Sequence, residues 1–239
     1  MCGKCDSKSV SRRSLMAGAG TLLAASAFSF RPIHAADNKA APNAISPSDA
    51  FEQLTKGNAQ YLANEPVDQA DYAVDRAART QAQHPIAAIL SCSDSRVPTE
   101  IIFDQGPGDI FVVRVAGNVV STYGLASMEF SVAVLGVPLI LVLGHTNCGA
   151  VASALQSARE RSKLPGHLPE LVEAIQPAVD AAHGKHPSDL LAATINENVR
   201  LGMRNLTSQS KIIGDAVKSG KVEIKGGVYD LATGKVAMV

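Results

Sequence analysis

The 239-residue sequence contains no tryptophan, and aromatic residues make up only 4% of it. Because 46% of the residues are nevertheless hydrophobic, we expect a core built mainly from alanine, valine, leucine and isoleucine, in one substantial domain or two small ones. An excess of positive charge is also missing, since 22 lysines and arginines balance 22 aspartates and glutamates. The composition therefore gives no support to nucleic-acid binding, which usually requires a basic surface.

Long apolar segments are scarce, and the one that resembles a membrane or export segment lies early, at Leu15–Phe30. It follows a basic stretch with Arg12 and Arg13 and precedes loose, alanine-rich sequence, which is the order of an export signal. The arginine pair resembles a twin-arginine signal; an ordinary secretory signal or a single anchoring helix is the alternative. We predict a signal over residues 1–36, one domain over residues 37–239, and an exported, periplasmic protein made as a cytoplasmic precursor.

Removal of this signal changes the charge and leaves no candidate membrane span. Residues 1–36 hold five of the 22 basic and one of the 22 acidic residues, so the remaining domain carries a formal net charge of −4. No later segment is long and apolar enough to cross a bilayer. We therefore expect no stable membrane span in the exported domain.

Cysteine is scarce as well, with four in the chain. Cys2 and Cys5 form a CxxC pair, but they lie inside the predicted signal, so we assign them no metal or redox chemistry. The exported domain keeps only Cys92 and Cys148, which excludes a structural zinc site made of four cysteines. A disulfide between these two is one interpretation, because exported proteins meet oxidising conditions.

The apolar pattern predicts an α/β fold with a mainly parallel central sheet flanked by helices. Continuous apolar runs at residues 86–91, 110–115 and 139–143 are typical of strands buried on both faces. An N-terminal helical arm is expected to begin at Ser46-Pro47, where serine can cap and proline can occupy the first turn. Helical spacing or composition predicts further helices at 72–83, 125–135, 150–160, 168–182 and 188–218, and the tail from 222 predicts a strand and hairpin.

Metal-ligating residue types follow two of these strands. Cys92 comes directly after the first strand, and His145 and Cys148 come directly after the third. Because parallel strands bring their carboxyl ends to one edge of a sheet, the three side chains should meet there. Two thiolates and an imidazole suit zinc, and three protein ligands leave a fourth position open, as in catalytic sites.

Other interpretations of the same residues stay open at this stage. One is the disulfide named above, and another is a catalytic cysteine paired with His145. The remaining histidines lie in polar or loop-like surroundings and are predicted to be surface residues: His84, His167, His183 and His186.

Asp94 and Arg96 follow Cys92 in steps of two residues, so the three can share one side of an extended backbone. Asp94 could complete the coordination of the metal, or it could pair with Arg96 and accept a hydrogen bond from metal-bound water. A plain turn salt bridge is the alternative.

The sequence Cys-Ser-Asp-Ser-Arg, followed by Gly-His-x-x-Cys-Gly, resembles the β-class carbonic anhydrases, and the resemblance extends from about Ala50 to the C-terminus. It implies the β-carbonic anhydrase fold and reversible hydration of carbon dioxide to bicarbonate by zinc-bound hydroxide. One zinc ion per subunit is expected. The residues that match family positions are the metal ligands Cys92, His145 and Cys148, the catalytic dyad Asp94 and Arg96, and the substrate-binding Gln83 and Gly149.

The resemblance also implies an assembly. Family members are dimers or multiples of dimers with active sites near the subunit interface, so we expect a homodimer or a multiple of dimers. A separate hypothesis concerns Asp94, which would ligate the metal only in a closed, low-pH state and would be captured by Arg96 at higher pH.

One departure from the family pattern concerns regulation. A bicarbonate regulatory pocket in one branch of the family uses a tryptophan where this chain has Ile89, although Arg114 matches an arginine of that pocket. We therefore do not expect bicarbonate regulation of that kind. Two alternatives to carbon dioxide hydration are a related zinc hydrolase of carbonyl sulfide or carbon disulfide, and an exported zinc-binding or redox protein without turnover.

Overall fold

The computed structural model describes residues 45–65, 76–77, 79–160 and 164–239. The predicted export signal lies outside these residues, and so do residues 72–75 and 78 of the helix predicted at 72–83, of which residues 76–77 are helical. The export signal, and the part of this helix outside the described residues, stay predictions. Residues 79–83 are described and are not helical.

A five-stranded sheet forms the centre of the fold, with strand order β2-β1-β3-β4-β5. The first four strands are parallel to their neighbours, and β5 is antiparallel to β4. The strands are β1 (Ala87–Ser91), β2 (Ile110–Arg114), β3 (Leu139–His145), β4 (Glu223–Tyr229) and β5 (Val236–Met238). The predicted α/β fold with a mainly parallel sheet is confirmed, including the hairpin that ends the chain.

Helices cover both faces of this sheet, because the side chains of a strand point alternately to its two sides. Ile89 of β1 packs in one buried cluster with Leu54, whereas the next residue, Leu90, packs in another with Met128 and Val199. The helices are α1 (Pro47–Ala63), α2 (Thr99–Ile102), α3 (Thr122–Ala133), α4 (Gly149–Glu160), α5 (Leu168–His183), α6 (Leu190–Gln209) and α7 (Lys211–Lys218), and a 3₁₀ turn spans Ala116–Asn118.

The start of α1 follows its sequence signals. Pro47 occupies the first turn, and the Ser46 side chain accepts a hydrogen bond from the Asp49 amide at 3.1 Å. The prediction of a capped helical arm is therefore confirmed. None of the helices in the described parts of the chain combines the length and the apolar character that a bilayer span requires.

The helix predicted over residues 188–218 is wrong as a single element, because Ser210 divides it into α6 and α7. Ser210 is extended (φ −121°, ψ 116°), and its hydroxyl accepts a hydrogen bond from the Ile213 amide at 3.1 Å. The same hydroxyl donates to the Glu129 carboxylate on α3 at 2.7 Å. Serine favours this local bonding over a continued helix. The short helix α2 was not predicted either.

Candidate metal centre

Three buried side chains meet at the carboxyl edge of the sheet. Cys92 follows β1, His145 ends β3, and Cys148 precedes α4; their sulfur and nitrogen atoms all lie within 4.8 Å of one another. Cys92 is 4% exposed, Cys148 is 1% exposed and His145 is fully buried. Since β1 and β3 are parallel neighbours, their ends meet as predicted. Both cysteines are free thiols, so the structure does not support the alternative of a disulfide.

A tight turn after β3 brings His145 and Cys148 together. The Thr146 amide donates to the Tyr229 carbonyl at 2.9 Å, which keeps the turn attached to β4. Asn147 then adopts a left-handed conformation (φ 53°), which asparagine tolerates better than most residues. The chain reverses within these residues and enters α4, so the HxxC spacing places both ligands on one side.

The loop after β1 is held by residues from the neighbouring strand and the turn that follows it. Arg114, at the end of β2, donates from Nε to the Cys92 carbonyl at 3.1 Å and from Nη2 to the Asp94 carbonyl at 2.5 Å. The Gly117 amide donates to Cys92 Sγ at 3.2 Å. Arg114 was interpreted from sequence as half of a regulatory pocket; in the structure it clamps the backbone next to a candidate ligand. Ile89 is fully buried in the core.

The buried imidazole of His145 has one nitrogen free for a metal. Its Nδ1 lies 2.9 Å from the Thr146 carbonyl, and because a carbonyl can only accept, Nδ1 carries the proton. Nε2 has no hydrogen-bond partner among the described residues. A buried polar atom without a partner is costly, and metal coordination would satisfy it. The donor set therefore fits a borderline divalent metal such as zinc.

The ionisation of the two thiols is unequal. A hydrogen bond from Cys148 lowers the pKa of Cys92 to about 4, against the opposing effect of burial, and His145 and the Gly117 amide act in the same direction. The same hydrogen bond, together with burial, raises the pKa of Cys148. Burial acts to lower the pKa of His145, but hydrogen bonding and charge from Cys92, together with the Thr146 carbonyl and the Asp94 charge, raise it on balance. Cys92 is thus a thiolate at neutral pH, and the thiolate is the form in which cysteine binds a metal.

Asp94 and Arg96 form a bidentate ion pair beside the cluster. Arg96 Nε donates to Asp94 Oδ1 at 2.9 Å, and Arg96 Nη2 donates to Oδ2 at 2.7 Å. The Arg96 amide adds a third hydrogen bond to Oδ1 at 3.0 Å. These bonds to Arg96 hold the pKa of Asp94 well below its usual range. Oδ2 also lies 3.7 Å from His145 Nε2, so an ionised carboxylate stands at the border of the cluster.

The other residues named from the sequence lie in different places. Gly149 directly follows Cys148 and begins α4, and a Cβ there would meet no heavy atom within 4 Å. Gln83 is exposed and precedes β1, so the five-residue strand separates it from Cys92 by about 16 Å at ~3.3 Å per residue. The structure therefore does not bring Gln83 to the cluster of its own chain. The four histidines predicted to lie at the surface, His84, His167, His183 and His186, are exposed.

The Gly117 contact to the Cys92 sulfur was not found from sequence. The signal that could have found it is the glycine that follows β2 closely, because β2 is the parallel neighbour of the strand that ends at Cys92. Such a glycine can bring its backbone amide close to the site.

Comparisons with known proteins identify the family to which this fold belongs. A family model described as carbonic anhydrase matches residues 87–236. A carbonic anhydrase of Mycolicibacterium smegmatis is 39% identical over 200 residues, which cover 82% of this chain and 95% of that protein. A β-carbonic anhydrase of Aspergillus fumigatus, CafA, superposes with a TM-score of 0.64 at 26% identity, covering 79% of this chain and 90% of the other.

A tetrameric β-carbonic anhydrase of Sordaria macrospora has the same fold, with a TM-score of 0.63 at 24% identity over 80% of this chain and 97% of that one. The family model covers well over half of the chain, and the mycobacterial relative matches over nearly its whole length. The resemblance drawn from the two motifs is therefore confirmed, and the chain belongs to the β-class of the carbonic anhydrase family.

Proposed function

We propose that the protein catalyses the reversible hydration of carbon dioxide to bicarbonate and a proton, with one zinc ion per subunit held by Cys92, His145 and Cys148. The observation that carries the proposal is the buried Cys-His-Cys cluster with an arginine-bound carboxylate at its border. The membership of the family supports the general reaction. Three ligands leave room for a reacting group, which a structural site of four ligands would not.

Zinc, when bound, lowers the pKa of a coordinated water to about 7, the value known for a carbonic anhydrase, and so supplies a nucleophile near neutral pH. The chain's own residues orient that nucleophile. Asp94 is ionised and borders the cluster, so it can accept a hydrogen bond and fix the direction of attack. Arg96 keeps Asp94 charged and turned in one direction through two side-chain hydrogen bonds.

A closed state is part of the proposal. For Asp94 to ligate the metal, it would have to give up its hydrogen bonds to Arg96, which the structure shows intact. We assign the arrangement seen here to the active form. Crystal structures over a pH series test this, and an Asp94 that stays on Arg96 at every pH, including an inactive one, would contradict it.

We also propose a homodimer or a multiple of dimers, because Gln83 cannot reach the metal centre of its own chain. Strand β2 is an edge of the sheet, and the neighbouring helix α3 exposes apolar side chains, with Tyr123 87% exposed and Phe130 also at the surface. Val134, which directly follows α3, adds a third exposed apolar side chain. An unpaired edge beside exposed apolar side chains suits a second copy. Gln83 would then act on the partner's site.

Mixing two impaired variants tests this arrangement. Gln83→Ala keeps its own metal ligands, and Cys92→Ser keeps Gln83, so a mixed dimer should regain one complete site. Activity above the sum of the separate variants is the expected result. A protein that is monomeric in light scattering, or a mixture that shows no gain, would overturn the proposal.

Export remains a proposal that rests on the sequence of residues 1–36. Replacing both Arg12 and Arg13 by lysine should leave the precursor in the cytoplasm if the twin-arginine pathway is used. Fractionation of cells that express each form measures this. Equal periplasmic amounts of both forms would contradict it.

The central experiment joins zinc analysis to a stopped-flow assay of carbon dioxide hydration, on the wild-type protein and on Asp94→Asn. We expect both proteins to bind one zinc per subunit and the variant to lose about 10–100-fold in rate, because it loses the charged acceptor. Asp180→Asn, an exposed carboxylate on α5, is the matched control. Stoichiometric zinc without hydration would overturn the proposal, and faster release of sulfide from carbonyl sulfide than hydration of carbon dioxide would favour the related hydrolase.

A further inference from the structure

A buried asparagine is linked to the metal centre through one glycine. Asn198 of α6 is 3% exposed, and its Nδ2 donates to the Gly117 carbonyl at 2.7 Å. The amide of the same glycine donates to Cys92 Sγ at 3.2 Å. We propose that Asn198 is a positioning residue that aims this amide at the ligand sulfur, an inference that rests on the zinc site of the proposed function.

Gly117 needs such support because its backbone conformation is an unusual one. Its conformation is left-handed (φ 66°, ψ 18°), and a Cβ would lie 2.9 Å from Ile175 Cδ1 and 3.1 Å from Ala150 Cβ. Only glycine suits both conditions, and glycine has no side chain to restrain its torsions. The hydrogen bond from Asn198 to the carbonyl of Gly117 limits rotation about this residue. The direction of its N–H is thereby limited as well.

Asn198 is itself held on a rigid element. Helix α6 lies directly on β3, where a Cβ on Gly144 would come within 2.7 Å of Val199 Cγ2. The adjacent Glu197 accepts hydrogen bonds from Lys185 at 2.6 Å and from Arg200 at 2.7 Å. Close packing and this ion network fix the position of α6, and a residue on a rigid helix can place a contact accurately.

The contact to sulfur matters for the ligand more than for the fold. An N–H bond to a thiolate fixes the direction of its lone pairs and withdraws part of its charge. Loss of that bond should weaken metal binding by disordering the thiolate. It should also raise the energy of the sulfur electrons, which moves a thiolate-to-cobalt charge-transfer band to longer wavelength. The second effect is one that a merely structural residue would not produce.

Asn58 provides a matched control elsewhere in the molecule. It is 6% exposed on α1, and its Nδ2 donates to the Ile102 and Gly234 carbonyls at 3.0 Å each. Its chemistry is therefore that of Asn198, a buried amide that binds backbone carbonyls. Its bonds go to the end of α2 and to the terminal hairpin, and Ile102 packs in a different buried cluster from Cys92 and Cys148.

The test uses the full-length protein loaded with zinc or with cobalt, as wild type, Asn198→Ala, Asn198→Asp and Asn58→Ala. Zinc affinity by chelator competition, the cobalt charge-transfer band and the free energy of unfolding are measured for each. We expect both Asn198 variants to bind zinc about 10–100-fold more weakly and to shift the band, since neither a methyl group nor an ionised carboxylate can donate to a carbonyl. Asn58→Ala should lose stability and keep the wild-type band.

Several outcomes would overturn the inference. Unchanged affinity and an unchanged band in folded Asn198 variants would do so, and so would an equal shift in Asn58→Ala. If neither Asn198 variant folds while Asn58→Ala does, the residue serves the fold as a whole and the inference is wrong. Failure of the wild-type protein to bind zinc or cobalt would instead overturn the proposed function beneath it.

Discussion

The two strand ends that build the metal centre supply their ligands in different ways. The end of β3 provides His145 and Cys148 within one tight turn, so the spacing of these two ligands is set by adjacent residues. The end of β1 provides Cys92 alone, and contacts from Arg114 and Gly117 hold it in place. The two ligands of the first end share one short turn, which is anchored to β4 through Tyr229, whereas the single ligand of the second end is held by residues that are more than 20 positions away in the chain.

This difference indicates where the centre can be adjusted. A change in the turn after β3 moves two ligands together and should act mainly on stability and metal content. A change in the supports of β1 leaves all three ligands present but alters how one of them is held. The end of β1 also carries Asp94 and Arg96, so a change in the loop that holds this pair should affect turnover more than metal binding.

Removal of one metal ligand should abolish zinc binding whichever strand end carries that ligand, and this is the largest effect that we expect. His145→Ala and Cys92→Ser should each lose stoichiometric zinc, and hydration of carbon dioxide should fall by at least about 10³-fold, because the metal supplies the nucleophile. Elemental analysis and stopped-flow assays measure the two quantities. His84→Ala, an exposed histidine, is the control, and wild-type activity in either ligand variant would disprove the assignment.

Loss of the hydrogen bonds from Arg114 should impair the end of β1 and leave the end of β3 unchanged. Arg114→Met keeps much of the aliphatic stem but leaves the Cys92 and Asp94 carbonyls without their donors. We expect retained zinc and a drop of about tenfold in kcat/KM, since the loop that carries Asp94 is no longer fixed. Arg204→Met, an exposed arginine on α6, is the control. An unchanged kcat/KM would show that the loop after β1 keeps its conformation without Arg114.

Substitutions in the turn after β3 should change the free energy of unfolding more than kcat/KM. Asn147 has a left-handed backbone, so Asn147→Val should lower the free energy of unfolding by about 1–2 kcal/mol, whereas Asn147→Gly should be tolerated. Urea unfolding of the metal-free proteins measures this. Equal stabilities of the two variants would mean that the turn is not fixed by its own backbone.

The smallest expected effect concerns the pH dependence of α6, which supports β1 only indirectly. The hydrogen bond from Lys185, helped by Arg200, lowers the pKa of the nearly buried Glu197. The stability that this gives is present above the unfolded value of about 4.3 and is lost as the pH falls through the folded pKa. Glu197→Gln should therefore flatten the acid side of the stability profile. Identical slopes for both proteins in urea titrations below about pH 5 would contradict this.

Sequence predicted most reliably the features that depend on neighbouring residues. The apolar runs gave β1 and β3, and the HxxC spacing with Cys92 gave the whole ligand cluster, because each follows a strand directly. Asp94 and Arg96 were likewise paired from their spacing of two residues, and the pair is present.

Features that depend on distant residues were missed. Ser210 ends α6 and bonds to Glu129, which lies 81 positions away in the chain. Gly117 and Asn198 meet the site of Cys92 only after β2 and α6 have packed against the sheet. Only the glycine that closely follows β2 is a local signal for one of these contacts, since tertiary packing brings the partners together. Gln83 is a different case, because its place ahead of β1 follows from the apolar run at 86–91, whereas its substrate-binding role came from the resemblance alone.

The empty space around Gly149 gives an engineer a way to alter selectivity. A Cβ at this position would meet no heavy atom within 4 Å, so alanine can replace this glycine without a clash. The position adjoins Cys148, so Gly149→Ala would add a methyl group one residue away from a candidate metal ligand. The ratio of carbonyl sulfide to carbon dioxide turnover in this variant, compared with the wild type, measures whether that methyl group narrows the approach to the metal centre.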